Sequence, residues 1–362
     1  MSFLTACGAS SNSANVAAKK PTTTVAPTTG ATSTTILTPV TTTRATTTTT
    51  KPPATTQPPA TTTTSPPVST AGCGTLTSTH LTPMPPPAPL QPFAGMATPG
   101  QGQWQPAGRL VQGHAAVYET TLQAPGTLYP TGIAWMDPNL LRATLYSGSI
   151  SPGGTGWKLT APISPCASLT LVAAFEGGYK PADSHGGYYT EGRYASPLVN
   201  GAASLVIYKN GTATVGQWGR DVSMTPDVVS VRQNLTLLVD GGKAVPGLNP
   251  DDNYVWGASL YGLASQWRAG LCVLSSGALV YVMGPGLEIT QLAALLVRAG
   301  CVRAMTLDMN PDWTVFATWD PSTPGGAATS ANGTRLVANT VQGPYTFFEP
   351  WWARDFITMS AR

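Results

Sequence analysis

Residues 271–308 run LCVLSSGALVYVMGPGLEITQLAALLVRAGCVRAMTLD, and the changes of period within them decide the fold. Leu271 to Leu274 and Ala278 to Met283 are apolar runs of strand length around Ser275-Ser276-Gly277, which predicts a hairpin. From Thr290 to Ala299 the spacing becomes helical, with Leu292, Leu295, Leu296 and Ala299 three and four residues apart. Thr290 can cap the start, Arg298 suits the last turn, and Gly300 suits the position just past the end. Val302 to Leu307 is again a strand and stops at Asp308. Hairpin, helix, strand in this order predicts an α+β fold: a single β-rich domain with mixed sheet and few helices.

Upstream the pattern stays β-like. Leu169 to Phe175 is a short apolar run ending in Glu176-Gly177-Gly178. Leu205 to Tyr208 connects to Thr212 to Gly216 through Asn210-Gly211, a strong hairpin signature, and Leu235 to Val239 precedes the turn Asp240-Gly241-Gly242. The first convincing alternation is Gly108 to Thr121, after a Pro-rich stretch from Pro83 to Pro99, so the domain is expected to begin near residue 100. Residues 21–70 hold 24 Thr and 9 Pro, with only Arg44 and Lys51 charged, and cannot contribute to a core. The expected organisation of the 362 residues is a lipoprotein-signal remnant at 1–7, a disordered Thr/Pro-rich linker at 8–100 and one domain at 101–362.

Charge excludes several function classes. Only 10% of residues are charged, and five cations (Lys19, Lys20, Arg44, Lys51, Arg109) precede the first acidic residue, Glu119. The remainder carries 14 basic and 16 acidic residues, so the folded part is nearly neutral and lacks the basic face of a nucleic-acid binder. No apolar run reaches the roughly 18 residues of a membrane-spanning helix. There is no G-x-S-x-G, H-E-x-x-H, Walker A or G-x-G-x-x-G motif, and His80, His114 and His185 share no ligand spacing. Asp308-Met309-Asn310-Pro311-Asp312 starts like a calcium loop, but Trp313 and Trp319 replace the required Gly and Glu. Neither a metal nor a cofactor is expected.

Leu4-Thr5-Ala6-Cys7 resembles a bacterial lipobox, with Cys7 the residue to be acylated, although only six residues precede it. A Thr/Pro-rich chain after such an anchor would hold a domain away from the membrane, giving an exported, membrane-anchored lipoprotein of the bacterial envelope. Cys73, Cys166, Cys272 and Cys301 contain no C-x-x-C pair, which excludes a zinc ribbon. Cys272 and Cys301 begin or precede strands and could be bonded neighbours in a sheet or two buried thiols; Cys73 and Cys166 could pair at the start of the domain.

Two carboxylates stand at the ends of apolar strands, Glu176 before two glycines and Asp308 before Asn310. At a sheet rim one acid can be held protonated while a hydrated one stays ionised as base or nucleophile, the division of labour in glycoside hydrolysis; for either acid alone a structural cap or an ion pair is the commoner explanation, and it is the two together that point to a site. Arg268 and Arg220 are each flanked by Trp and Gly, a setting in which a guanidinium can meet a phosphate or carboxylate, although Arg220 can also pair with its neighbour Asp221. Tyr179, Tyr188, Tyr189, Trp256 and Trp267 could stack on sugars or pack in the core. Residues 183–193, polar and glycine-rich, read either as a loop closing over a ligand or as ordinary surface.

In their order these segments resemble the phosphodiester glycosidase family. The matching pieces are Phe175-Glu176-Gly177-Gly178-Tyr179, Glu191-Gly192-Arg193, Arg268-Ala269-Gly270, Gly286 with Thr290-Gln291-Leu292-Ala293, and Leu307-Asp308, spanning about residues 105–360. The resemblance implies a hydrolase that cleaves a glycosyl phosphodiester or related glycoconjugate. Asp308 and Glu176 would be its catalytic acids, and Arg268, Gly177, Gly178, Tyr179, Asn310, Arg193 and Arg220 its substrate-binding groups. Two departures stand out: Glu176 replaces an Asn of the family, and Met309-Asn310-Pro311-Asp312 replaces a Gly-Gly-Gly-Ser run. They motivate the alternative of a non-catalytic glycan-binding or envelope-assembly lipoprotein. The catalytic reading expects Asp308→Asn to abolish turnover without lowering the melting temperature.

Overall fold

The computed structural model describes Cys73 and residues 80–257, 266–322 and 325–362. These residues fall within one compact unit, Ser65–Arg362. Cys7 and the Thr-rich stretch lie outside the described residues. The strands begin with β1 (Gln105–Val111), β2 (His114–Leu122), β3 (Thr131–Met136), β4 (Leu141–Tyr146), β5 (Leu171–Glu176) and β6 (Tyr188–Thr190). Next come β7 (Arg193–Ser196), β8 (Ala203–Tyr208), β9 (Ala213–Gln217), β10 (Val228–Gln233), β11 (Leu237–Asp240) and β12 (Lys243–Ala244). β13 (Gln266–Leu274), β14 (Leu279–Leu287), β15 (Cys301–Thr306), β16 (Phe316–Trp319), β17 (Gly333–Arg335) and β18 (Phe356–Ala361) complete the set. Three one-turn helices, α1 (Pro165–Ser168), α2 (Pro181–Ser184) and α3 (Asn253–Trp256), accompany the ten-residue α4 (Ile289–Arg298).

The strands form three sheets, ordered β1-β2-β3-β14-β13-β15-β11-β12, β7-β6-β10-β8-β9 and β17-β16-β5-β18-β4. Every ladder between these strands is antiparallel, which corrects the expectation of mixed sheet. The reason lies in the opening stretch. After the β13–β14 hairpin, α4 carries the chain across β13, so β15 pairs with β13 rather than with β14. β14 and β15 run the same way, but β13 separates them and no parallel ladder forms.

Period-two alternation decides which face each residue covers. Leu279, Tyr281 and Met283 of β14 enter the large interior cluster with Phe175, Met305, Ile357 and Met359. Val280 and Val282 point the other way and pack, with Cys272 and Ala304, against Leu292, Leu295 and Leu296 of α4. The cap is Glu288, two residues before the expected Thr290, and the Gln291 side chain accepts the Glu288 amide at 2.8 Å, so the helix runs Ile289–Arg298. Residues 80–100, assigned above to the linker, make contacts with the domain. Leu81 packs on the interior cluster, and Leu90 and Phe93 pack on the helix side. Arg298 lies 4.5 Å over the Phe93 ring, and Met84 donates its amide to Asp137 at 2.7 Å. Proline prevents helix and ladder here but not apolar packing.

Disulfides join Cys272 to Cys301 and Cys73 to Cys166. The first ties β13 to β15 beneath α4, where Leu274 faces Cys301 in the ladder. Replacing Cys272 and Cys301 by Ala together is expected to lower unfolding stability by about 3 kcal/mol, since a loop of this length no longer constrains the unfolded chain. Urea denaturation of the double variant measures it.

Candidate active site

β5 is buried along its whole length, so it carries Glu176 inward to 1% exposure. The two following glycines are required by what surrounds them. A Cβ on Gly177 would stand 2.1 Å from Asp355 Oδ2, and one on Gly178, whose φ is +110°, would stand 2.3 Å from Asn234 Nδ2. With no side chains in the way, the backbone docks directly: Asn234 Nδ2 donates to Gly177 O at 3.0 Å and its Oδ1 accepts the Tyr179 amide at 3.0 Å. Arg232 donates to Tyr179 O and grips Asp355 through Nε (2.7 Å) and Nη2 (3.3 Å). Both members of that pair are buried.

This clamp brings together the ends of β5 and β10, the residues before β18 and the residues after β15. Arg354, immediately before Asp355, donates through Nη2 to both Gly178 O and Asp308 Oδ2. Asp308 Oδ1 accepts the Asn310 amide at 2.9 Å. Trp313 lies beneath Arg354, its ring centroid 5.3 Å from the guanidinium carbon. Glu176 has a different environment. Its Oε1 accepts the Tyr281 hydroxyl at 3.2 Å, and its Oε2 is buried without a hydrogen-bond partner.

The two acids therefore differ electrostatically. Burial pushes the Glu176 carboxyl up to about 8, and the negative charge of Asp308 adds to that rise. Burial also raises Asp308 above its usual range, but Arg354 and the Asn310 amide oppose the shift and favour its ionised form. At neutral pH the arrangement holds a proton on Glu176 beside an ion-paired Asp308.

The residues singled out in the sequence divide into two groups. Glu176, Gly177, Gly178, Tyr179, Asp308 and Asn310 meet in this region, Asn310 as the start of the turn whose side chain accepts the Asp312 amide at 2.9 Å. Arg268 stands behind Tyr179. Its Nη1 and the Tyr179 hydroxyl both donate to Trp256 O, at 3.2 and 3.4 Å, and its Nε donates to Leu287 O at 3.0 Å. Arg193 and Arg220 are engaged elsewhere: Arg193 stacks on Trp157 at 3.6 Å, and exposed Arg220 pairs with Asp221 and Asp240. Residues 183–193 form the end of α2 and the β6–β7 hairpin rather than one continuous loop, and Glu191 accepts the Lys158 and Leu159 amides. Tyr179, Tyr188 and Trp256 are buried, which removes them as stacking surfaces.

Arg354, Asp355, Arg232, Asn234 and Tyr281 escaped the sequence reading. Arg354-Asp355 looks like a self-contained ion pair, whereas each member pairs with a distant residue instead. Among the described residues no group of three metal-binding side chains clusters.

No protein-family model matches the chain, and no curated protein matches it. Solved structures similar to it include the catalytic domain of zebrafish N-acetylglucosamine-1-phosphodiester alpha-N-acetylglucosaminidase, in a form auto-inhibited by its pro-peptide. That match has 14% identity and a TM-score of 0.43, covering 72% of this chain and 88% of the other. A hypothetical protein from Synechocystis is similar at 10% identity and a TM-score of 0.38, over 69% of this chain and 63% of the other.

Three outcomes follow from the geometry. Gly178→Ala is expected to cost about 2 kcal/mol or more, through the positive φ and the clash with Asn234, visible as a lower Tm. Asp308→Asn removes one partner of a buried ion pair and leaves Arg354 uncompensated, so a loss of about 3–5 kcal/mol replaces the earlier expectation of an unchanged melting temperature. The third concerns pH. Folding moves the Glu176 pKa from 4.5 to about 8, so the folded state binds more protons than the unfolded chain between those values. Its contribution is full below pH 4.5 and is lost as pH rises through 8. Urea unfolding between pH 5 and 9 should show declining stability, with a shallower slope in Glu176→Gln.

Proposed function

We propose that this chain is an exported cell-envelope hydrolase that cleaves a glycosyl phosphodiester or related glycoconjugate. The observation that carries the reading is the contrast between the two buried acids, one protonated near neutral pH with a free oxygen, the other ion-paired. Glu176 gives its proton to the leaving oxygen as the anomeric carbon–oxygen bond breaks, and Asp308 takes a proton from the water whose oxygen bonds to that carbon. Arg354, and Arg268 behind Tyr179, supply positive potential for a substrate phosphate. The lipid anchor at Cys7 is part of the same proposal. Two disulfides support folding in an oxidising compartment, as expected outside the cytosol.

A second reading, a glycan-binding protein on the same scaffold, draws on one specific observation: Arg354 bonds Asp308 directly and limits its freedom as a base. The discriminating variant is Glu176→Gln, which keeps the shape and the neutral charge of the protonated acid. On a panel of glycosyl phosphodiesters it should lose at least about 100-fold in kcat while keeping its fold. The wild-type rate should fall as pH rises through 8. Undiminished turnover in the variant sinks the catalytic assignment; glycan binding without product release in the wild type favours the second reading.

A further inference from the structure

Tyr281 has one hydroxyl hydrogen and two acceptors within its reach. The hydroxyl oxygen lies 3.2 Å from Glu176 Oε1 and 3.4 Å from Val315 O. The side chain is fully buried, and its ring packs against Phe175 and Phe316, with centroids 5.2 and 5.1 Å away. Phe175 precedes Glu176, Phe316 follows Val315, and the two phenylalanines are opposite each other in the β5–β16 ladder. The packing that holds the ring also holds both acceptors, so the part left to move is the hydroxyl hydrogen.

Which acceptor it serves follows from the proton on Glu176. While the carboxyl is protonated, Oε1–H donates to the Tyr281 oxygen and the phenol donates to Val315 O, so every hydrogen has an acceptor. A proton on Oε2 would instead be a buried donor with nothing to receive it, since that oxygen has no hydrogen-bond partner. Once Glu176 is ionised, Oε1 is the better acceptor, because Val315 O already takes the Glu176 amide at 3.2 Å and a bond to a carboxylate is the stronger one. Burial and the nearby Glu176 charge hold the phenol well above its ordinary range, so Tyr281 keeps its own proton throughout. The other titratable or charged groups that face Glu176 are Asp308 after β15, Arg354 before β18, Arg232 on β10 and Tyr179 after β5. Tyr281 is the side chain that bonds its carboxyl.

We propose that Tyr281 is a positioning residue for the acid: its hydroxyl hydrogen points to Val315 O while Glu176 carries a proton and swings to Glu176 Oε1 as that proton leaves. A half-turn of the carboxyl presents the proton at the unpartnered position, where the leaving oxygen of the substrate takes it. Tyr281 gains and loses no proton; it supplies a hydrogen bond as negative charge appears on Glu176. This role in turnover rests on the reading of Glu176 as the general acid, whereas the exchange of partners does not.

The test titrates the full chain from pH 5 to 10. Tyrosine labelled with carbon-13 at Cζ reports Tyr281 by NMR, as the signal missing from Tyr281→Phe; the infrared band of the protonated carboxyl reports Glu176, as the band missing from Glu176→Gln. Both should share one midpoint in the wild type, and the Tyr281 signal should stop moving in Glu176→Gln. In Tyr281→Phe the infrared midpoint should rise by at least about half a pH unit, because the ionised form has lost its donor. 3-Fluorotyrosine placed at position 281, a stronger donor of nearly the same shape, should lower the midpoint, which decides the matter if the phenylalanine variant folds poorly. On a glycosyl phosphodiester, the fall of kcat with rising pH should move with the infrared midpoint in each variant. A Tyr281 signal that ignores the Glu176 titration, or a midpoint that neither variant moves, would overturn the proposal. A kcat profile that stays in place while the midpoint moves removes the role in turnover, and shifted midpoints in a protein with no turnover leave the exchange standing and sink the hydrolase reading.

Discussion

The contact on which the candidate site depends is the docking of a bare backbone, Gly177-Gly178, onto the side chains of Asp355 and Asn234. Asp355 is held there by Arg232, and Arg232 also takes the carbonyls of Tyr179 and Gln233. A buried guanidinium with this many acceptors has no spare donor to misdirect, and a buried carboxylate gripped through both oxygens has one orientation. Rigidity at that point passes along the chain to Arg354, one residue before Asp355, and through Arg354 to Asp308. Remove either glycine's freedom and three strand ends lose their common reference.

The same packing accounts for the unequal acids. Glu176 is enclosed by the interior cluster, and the nearby charge of Arg354 and the Tyr281 hydroxyl offset only part of the cost of its charge. Asp308 sits one side chain away from a cation and accepts a backbone amide, so its charge is compensated. Glu119, on β2, is half-buried with one buried, unpartnered oxygen, and burial raises its carboxyl to about 7. Two such carboxyls in one small domain tilt its stability toward acid.

Much of the scaffold could be read from the sequence, and the reasons are local. The β13–β14 hairpin, α4 and β15 each have their own period, and the Glu-Gly-Gly end of β5 announces a backbone that something approaches closely. The sheet arrangement was not legible, because hairpin, helix, strand permits β15 beside either β14 or β13, and the choice rests on three-dimensional packing. The partners of the acids were hidden for a related reason. Arg354 and Asp355 are adjacent in sequence and serve different clusters, and Arg232 and Asn234 carry no motif beyond alternation in β10. The Pro-rich segment was misread because composition reports what a chain cannot form, whereas Leu81, Leu90 and Phe93 supply anchors that composition averages away.

The bond between Cys73 and Cys166 spans a sequence separation of 93. Tension arriving from the N-terminal side therefore reaches Cys73 and crosses covalently to α1, bypassing β1 through β4. Those strands cannot be peeled away one after another from that end while the bridge is intact. Mechanical load is delivered next to β5, the strand that presents Glu176, so a molecule pulled from its N-terminal side is held at a fixed point and not unravelled from its first hairpin.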